Sequence, residues 1–269
     1  MRRVIRQLDR AGVQQLLDWA ADEGWNPGDD AAAFHAADPN GFFGAFVDGE
    51  MVAGIAGVAY DAQFGFIGLY LCAPQWRGQG HGKAAWDAAM AYLGSRTIGL
   101  DGVPEQQANY SKMGFVGLYD TVRMSGTLAM PARAIAQTAP GMDAGIRALD
   151  RHGFPAPRDG FLDHWLTPPH QIAALADGGQ VVGYAVRRQC RDGHKIGPIF
   201  AASTDHAVAI LSQFGGYVQI DVPASQTEWL EHLAGLGFKP GFTTRRMYRG
   251  PAPDVALSTV FGVTTLELG

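Results

Sequence analysis

The segment Leu69-Tyr70-Leu71-Cys72-Ala73-Pro74-Gln75-Trp76-Arg77-Gly78-Gln79-Gly80-His81-Gly82-Lys83 holds the residue types and spacing best suited to chemistry. An apolar run that reads as a strand precedes the turn, and an alanine-rich run that reads as a helix follows it. A strand-to-helix turn of this kind presents several backbone N–H groups, at the positive end of the helix, to one anion. Glycines at 78, 80 and 82 let the backbone approach oxygens closely and take positive φ where the turn requires it. A pyrophosphate suits such a site. The competing interpretation is an ordinary glycine-rich turn, which the order of the flanking elements weakens. The spacing Gly-x-Gly-x-Gly is not the Gly-x-Gly-x-x-Gly of a dinucleotide-binding turn. Gly82-Lys83 also lacks the upstream glycine and following Ser/Thr of a Walker loop.

The elements that must hold this turn follow from periodicity. Val4 to Leu8 predicts a strand, and Asp9 caps a helix whose Val13, Leu16, Leu17 and Ala20 share one face, ending near Gly24. Gly41 to Val47 and Met51 to Tyr60 form a hairpin around Asp48-Gly49. A third strand, Phe64 to Cys72, is stopped by Pro74. A helix from about Gly80 to Leu93 carries Ala84, Ala85, Ala88 and Ala89, small residues that let it lie close on a sheet. Thr97 to Asp101 predicts a strand, Glu105 to Met113 a short helix, and Phe115 to Gly126 a further strand.

The chain repeats itself. Asp48-Gly49-Glu50-Met51-Val52-Ala53-Gly54-Ile55-Ala56 and Asp177-Gly178-Gly179-Gln180-Val181-Val182-Gly183-Tyr184-Ala185 both read Asp-Gly-x-x-Val-x-Gly-x-Ala. Leu100-Asp101, Gly114-Phe115 and Arg123-Met124 return in the same order as Ile220-Asp221, Gly237-Phe238 and Arg246-Met247. This is a tandem duplication, with a first domain at 1–128, a linker at 129–141, a second domain at 142–250 and a C-terminal strand segment at 251–269. The class is α+β, each copy a mixed, mainly antiparallel sheet flanked by helices. The second copy is shorter between its hairpin and Asp221, because its strand Ile196 to Ala201 runs through Ala202-Ser203-Thr204-Asp205 straight into a helix. Asp205 puts negative charge at that helix start, and Leu233 stands where the first copy has Tyr110. The second copy is therefore expected to bind no anion of this kind and to pack against the first, closing its open side, with His164 and Trp165 as contributors.

Two motifs carry a family resemblance. Arg77-x-x-Gly80-x-Gly82 is similar to the Arg/Gln-x-x-Gly-x-Gly/Ala acetyl-CoA signature of the GNAT N-acetyltransferase superfamily. Tyr110-Ser111-Lys112-Met113-Gly114-Phe115 resembles its Tyr-x-x-x-Gly-Phe element. The resemblance covers Met1 to Gly126 closely, including Glu23-Gly24-Trp25-Asn26-Pro27-Gly28, which looks like a bacterial tandem subfamily; the second copy matches in outline. It implies acetyl transfer from acetyl-CoA to an amine of a small molecule or peptide, by direct attack without a covalent enzyme intermediate. The backbone of Arg77, Gly78, Gln79, Gly80, His81, Gly82 and Lys83 would then hold the pyrophosphate, and the strand edge Leu69, Tyr70, Leu71 would pair with the pantetheine arm. Tyr110 would protonate the departing thiolate, a general-acid role worth roughly 10²–10⁴ in rate, and Asn109 would touch the cofactor. An alternative is a non-catalytic acyl-CoA sensor, which retention of Tyr110 disfavours.

The resemblance also has gaps. Many members carry a glutamate near the acetyl group to deprotonate the amine, and Phe64 to Cys72 contains no acid; the Asn found seven residues before the Tyr is here Val103. Asp101, ending the next strand, is the nearest sequence candidate for the acid, directly or through water. A capping or turn carboxylate is at least an equal alternative, since Asp221 repeats it in the copy lacking the turn. The connection after the first helix builds part of the acceptor pocket in the family. Here it holds Glu23, Trp25, Asp29, Asp30 and His35, suited to a cationic amine if they are more than a solvated acidic loop.

Composition narrows the rest. With 21 Lys+Arg against 26 Asp+Glu and a net charge of −5, the chain has no dense basic face for nucleic acid. The start Met1-Arg2-Arg3-Val4-Ile5-Arg6 lacks the apolar core of a secretory signal, and Phe64 to Ala73 is too short to span a bilayer. Two cysteines, Cys72 and Cys190, provide neither a disulfide framework nor a zinc site. Cys72 reads as a core residue rather than a nucleophile, and the eight histidines, His81 among them, as surface positions without metal spacing. A cytoplasmic location, no membrane partner and no metal are expected.

Overall fold

The computed structural model describes residues 2–130 and 141–269, so most of the expected linker lies outside the described residues. The first copy runs β1 (Arg3–Gln7), α1 (Arg10–Asp22), α2 (Ala31–Ala37), β2 (Phe42–Val47), β3 (Glu50–Ala59), β4 (Phe64–Cys72), α3 (His81–Leu93), β5 (Thr97–Gly102), α4 (Pro104–Lys112) and β6 (Val116–Leu128). The second runs α5 (Asp143–Gly153), α6 (Asp159–Trp165), β7 (Gln171–Asp177), β8 (Gln180–Gln189), β9 (His194–Ala201), α7 (Thr204–Leu211), β10 (Gly216–Pro223), α8 (Thr227–Gly235) and β11 (Lys239–Arg249), followed by β12 (Val260–Gly262). Asp9 caps α1 as expected, its side chain accepting from Gly12 N at 3.0 Å, an interaction worth about 1 kcal/mol. The short helix α2 was not anticipated. No helix of the described residues is long and apolar enough to cross a membrane.

Each half is mixed and mainly antiparallel, with one parallel contact apiece, β4 with β5 and β9 with β10. The halves do not keep separate sheets. All strands share one sheet ordered β1-β2-β3-β4-β5-β11-β6-β10-β9-β8-β7, with β12 against β9. The last strand of each copy has crossed over: β11 lies beside β5 of the first copy, and β6 beside β10 of the second. At the centre β6 and β11 pair antiparallel, with the repeat-related Thr121 and Thr244 facing each other. The boundaries at 128 and 142 therefore do not divide the sheet, because β6 and β11 carry the same pattern and each is completed by the other copy's strand.

The segment at 251–269 is strand for three residues alone, Val260–Gly262. The residues after it, Val263 to Leu268, are mostly buried without being strand. On the opposite face of the first copy, α3 buries Ala85, Trp86, Ala89 and Leu93. A Cβ on Gly57 of β3 would sit 2.8 Å from the Ala89 methyl, so helix and sheet touch through their smallest residues.

Candidate active-site cleft

β4 and β5 pair in parallel from Phe64↔Thr97 to Ile67↔Leu100 and then part. The separation coincides with an irregularity in the β3–β4 register between Gly54 and Ala56, opposite Gly68 to Leu71, where Leu69 takes φ 46°. An extra residue on one strand bends it and breaks the ladder locally. The V-shaped gap opens into a cleft of about 660 Å³. The turn after β4 forms one end of the cleft, while β11 and the C-terminal segment bound the other.

The glycine turn is built as its spacing demanded. Gly78 and Gly80 take φ 74° and 80°, and α3 begins at His81 with no side-chain cap. The first N–H groups of the helix are thus left without an acceptor from their own helix. A Cβ on Gly82 would lie 3.1 Å from the Tyr70 hydroxyl, so this glycine keeps the wall open. Of the residues expected at the cofactor, Leu69, Tyr70, Leu71, Arg77, Gly78, Gly80, His81, Gly82 and Lys83 line the cleft, and Gln79 and Asn109 do not. Gln79 donates to Gln75 O at 3.0 Å, and Asn109 to Gln106 Oε1 at 2.9 Å. Arg77 folds back on Cys72 O and Glu23, and Lys83 pairs with Asp87 at 2.6 Å. His81 is buried rather than a surface residue: it meets Trp76 edge-to-face at 5.4 Å.

Tyr110 lines the cleft and is positioned by its aromatic neighbours. Its ring stacks on Trp86 at 5.7 Å and 20°, with Phe115 edge-on at 6.2 Å. Gly114 (φ 89°) makes the turn that brings Phe115 back under it. Burial, aided by the nearby Tyr70 hydroxyl, pushes the Tyr110 phenol up to about 12.

Asp101 reaches the cleft wall, but its side chain is fully buried and both its oxygens accept from Arg246 on β11, at 2.9 and 2.8 Å. It holds the exchanged strand in place, which corrects its expected role as the free acid. Asp221 does the same with Arg123, at 2.7 and 3.0 Å, and is approached by Lys195 at 3.6 Å. Burial pushes the Asp101 carboxyl up against the pull of Arg246. At Asp221 burial is overcome by Arg123 and Lys195, which hold the carboxyl well below the usual range.

Of the acceptor-side group expected after α1, Trp25 alone lines the cleft. Its carbonyl accepts from Arg123 at 2.9 Å and from Lys195 at 3.1 Å. Glu23 pairs with Arg77, Asp29 is exposed, and Asp30 turns toward the second copy, accepting from His170 at 2.7 Å. His35 lies on α2. The loop is thus a docking element between copies: Asn26 also donates to Asp192 O and Gln219. The second copy does close the cleft, though not with His164 or Trp165. Trp165 is buried, donating to Gly197 O, and neither residue lines the cleft. Phe242 and Thr244 from β11, with Leu266 and Glu267 from the C-terminal segment, form that wall. These four were not foreseen. The one sequence signal was a lone acid in the apolar stretch Thr-Thr-Leu-Glu-Leu, with nothing to connect it to Gly68.

The corresponding slot of the second copy is filled. β9 and β10 pair at His194 and Lys195 and then part, as β4 and β5 do. β12 lies in that gap against β9, and Val263 N donates to Asp221 O at 2.9 Å. A Cβ on Gly197 would overlap the Val263 carbonyl oxygen. Ser203 caps α7 by accepting from His206 N, and Leu233 is fully buried.

Residues 10–115 match the acetyltransferase (GNAT) family model, and residues 146–262 match an acetyltransferase (GNAT) domain. Holothin acyltransferase from Pseudoalteromonas sp. (strain SANK 73390) is 33% identical, over 95% of this chain and 91% of that protein. A crystal structure of a protein from Pyrococcus horikoshii shares the fold at a TM-score of 0.81 and 20% identity, covering 99% of this chain and 96% of its own. A tandem GNAT protein from the clavulanic acid biosynthesis pathway aligns at a TM-score of 0.62 and 16% identity, over 93% and 100% of the two chains.

Proposed function

Because the chain belongs to the GNAT acetyltransferase family and is an acyltransferase, we propose that its first copy transfers an acetyl group from acetyl-CoA directly to an amine of a small molecule or peptide. The observation that carries this reading is the conjunction, in one cleft, of an uncapped glycine-flanked helix start, a parted parallel strand pair and a buried tyrosine. The room beside Gly78 and Gly80, where no atom lies closer than 3.8 Å to an added Cβ, fits a pyrophosphate. When bound there, acetyl-CoA would supply the acyl group as a thioester. The backbone of residues 78–83 would bind the phosphates, and the freed edge at Leu69 to Leu71 would orient the pantetheine arm. Tyr110, held in its protonated form at neutral pH, would give its proton to the leaving sulfur. The filled slot and capped α7 support one cofactor per chain. Two unpaired cysteines fit a reducing, cytoplasmic setting.

The test is to incubate the purified chain with acetyl-CoA and a panel of amines, following free thiol. The panel takes its first member, holothin, from the name of the full-length relative, with spermidine, lysine and hydroxylamine beside it. Amine-dependent thiol release, with a calorimetric stoichiometry of one, is expected. Binding without transfer to any amine would make the chain a sensor, and no binding would overturn the reading.

A further inference from the structure

We infer that Glu267 is the carboxylate that takes the proton from the acceptor amine, and that the segment anchored in the second copy's slot delivers it to the first copy's cleft. This rests on the acyltransfer reading above. β4 contains no acid, and Asp101 is engaged by Arg246. Glu267 is 3% exposed, lines the cleft, and its Oε2 is buried with no hydrogen-bond partner among the described residues. Thr244 Oγ1, in the same wall, is also buried without a partner. A carboxylate oxygen out of water without a donor is costly, and in a native fold it marks a missing partner. None of the cations in this buried cluster donates to it: Arg246 is committed to Asp101, Arg123 to Asp221 and the Trp25 carbonyl, Lys195 to that carbonyl and Asp221, and Arg188 donates to the Pro27 and Thr264 carbonyls, its Nη2 having no partner among the described residues. A ligand that satisfies Glu267 must bring its own N–H or positive charge, as a protonated amine does.

Its position agrees with this use. The Glu267 main chain runs against Gly68, where a Cβ would overlap the Glu267 carbonyl oxygen, so the acid stands at the point where β4 leaves β5. The flanking residues are pinned. Leu268 N donates to Thr265 Oγ1 at 2.9 Å, the Tyr60 hydroxyl donates to Leu268 O at 2.8 Å, and β12 sits in the second copy's gap. A slot with no cofactor to hold has become the anchor that fixes an acid in the neighbouring site.

The step balances without another reactant. Glu267 takes one proton from the R–NH₃⁺ acceptor, freeing the nitrogen lone pair. The C–N bond forms to the acyl carbon and the C–S bond breaks, its electron pair leaving with sulfur. Tyr110 protonates that sulfur and is restored by the second proton lost from nitrogen, while Glu267 releases its proton to solvent.

Glu267→Gln keeps the size of the side chain and removes the base. Acetyl-CoA affinity is expected to remain within about twofold. Transfer to the panel amine that wild type acetylates should fall about a hundredfold or more at neutral pH, and the loss should shrink at alkaline pH as the free-base fraction of the amine grows. Transfer to hydroxylamine, already largely unprotonated at neutral pH, should change little. Unchanged turnover of the charged amine, or an equal loss with hydroxylamine, would overturn the role of Glu267 while leaving the acyltransferase reading intact. Wild-type protein that binds acetyl-CoA and acetylates nothing, hydroxylamine included, would overturn both.

Discussion

Asp101 on β5 and Arg246 on β11 stand directly opposite in the sheet, joined by two bonds of 2.9 and 2.8 Å, although one belongs to the first copy and the other to the second. Asp221 and Arg123 repeat the arrangement with the copies reversed. The two pairs lock the strand exchange from both sides, and they fix Trp25 and the wall of the cleft through the Arg123 contact to the Trp25 carbonyl.

Breaking one pair should be costly. Asp101→Leu removes both acceptor oxygens and leaves the Arg246 guanidinium buried without a partner, a loss expected at about 3–5 kcal/mol by urea unfolding. The double replacement Asp101→Leu, Arg246→Met should recover much of it. A double-mutant cycle with no coupling would mean that the pair does not secure the exchanged strand.

The two repeat-related acids should respond to pH with opposite sign. Burial works against the Asp221 charge, but Arg123, Lys195 and Arg188 prevail, and its folded pKa lies below its unfolded one. Its stabilisation is complete above roughly pH 4 and is lost as pH falls toward the folded value. At Asp101 burial outweighs Arg246, so the folded pKa lies above the unfolded one. Its contribution grows as pH falls from that raised value to the usual one. Asp221→Asn should therefore flatten the acid limb of stability against pH, and Asp101→Asn should not. Thermal unfolding across an acid pH series measures both.

At the turn, Gly80→Val should weaken acetyl-CoA binding tenfold or more, equivalent to about 1.4 kcal/mol, while the chain stays folded. The valine would have room, since the nearest atom to an added Cβ is 3.8 Å away, but not the φ of 80° that the turn uses. Unchanged affinity in calorimetry, with circular dichroism confirming the fold, would remove the turn from the cofactor site.

Tyr110→Phe should lower kcat far more than acetyl-CoA affinity, because the ring remains stacked on Trp86 while the hydroxyl acts as the thiolate leaves. With its phenol pushed up to about 12 by burial, Tyr110 stays protonated well past neutrality. The wild-type kcat should thus show no decline from its ionisation between pH 7 and about pH 10. A kcat unchanged by the substitution, with chemistry shown to be rate-limiting, would return Tyr110 to a packing role.

The sequence by itself determined whatever depends on neighbours along the chain. The strand, glycine turn and α3 are encoded within Phe64 to Leu93, and Tyr110 with Gly114-Phe115 within one short helix and its turn. The duplication, and the loss of the turn before α7, are visible because repeats can be compared residue by residue. Tertiary structure decided what depends on partners far apart. β6 and β11 carry the same Arg-Met pattern, so each matches β5 and β10 alike, and local propensity is indifferent to which copy it completes; packing of the whole sheet selects the exchange. That choice takes Asp101 out of contention as a free acid. It also turns the 23–30 loop into a dock with a single residue at the cleft. Glu267 follows from the same physics. A buried carboxylate acquires meaning from the cavity that surrounds it, and that cavity exists only once β12 has filled the second slot and laid the chain against Gly68.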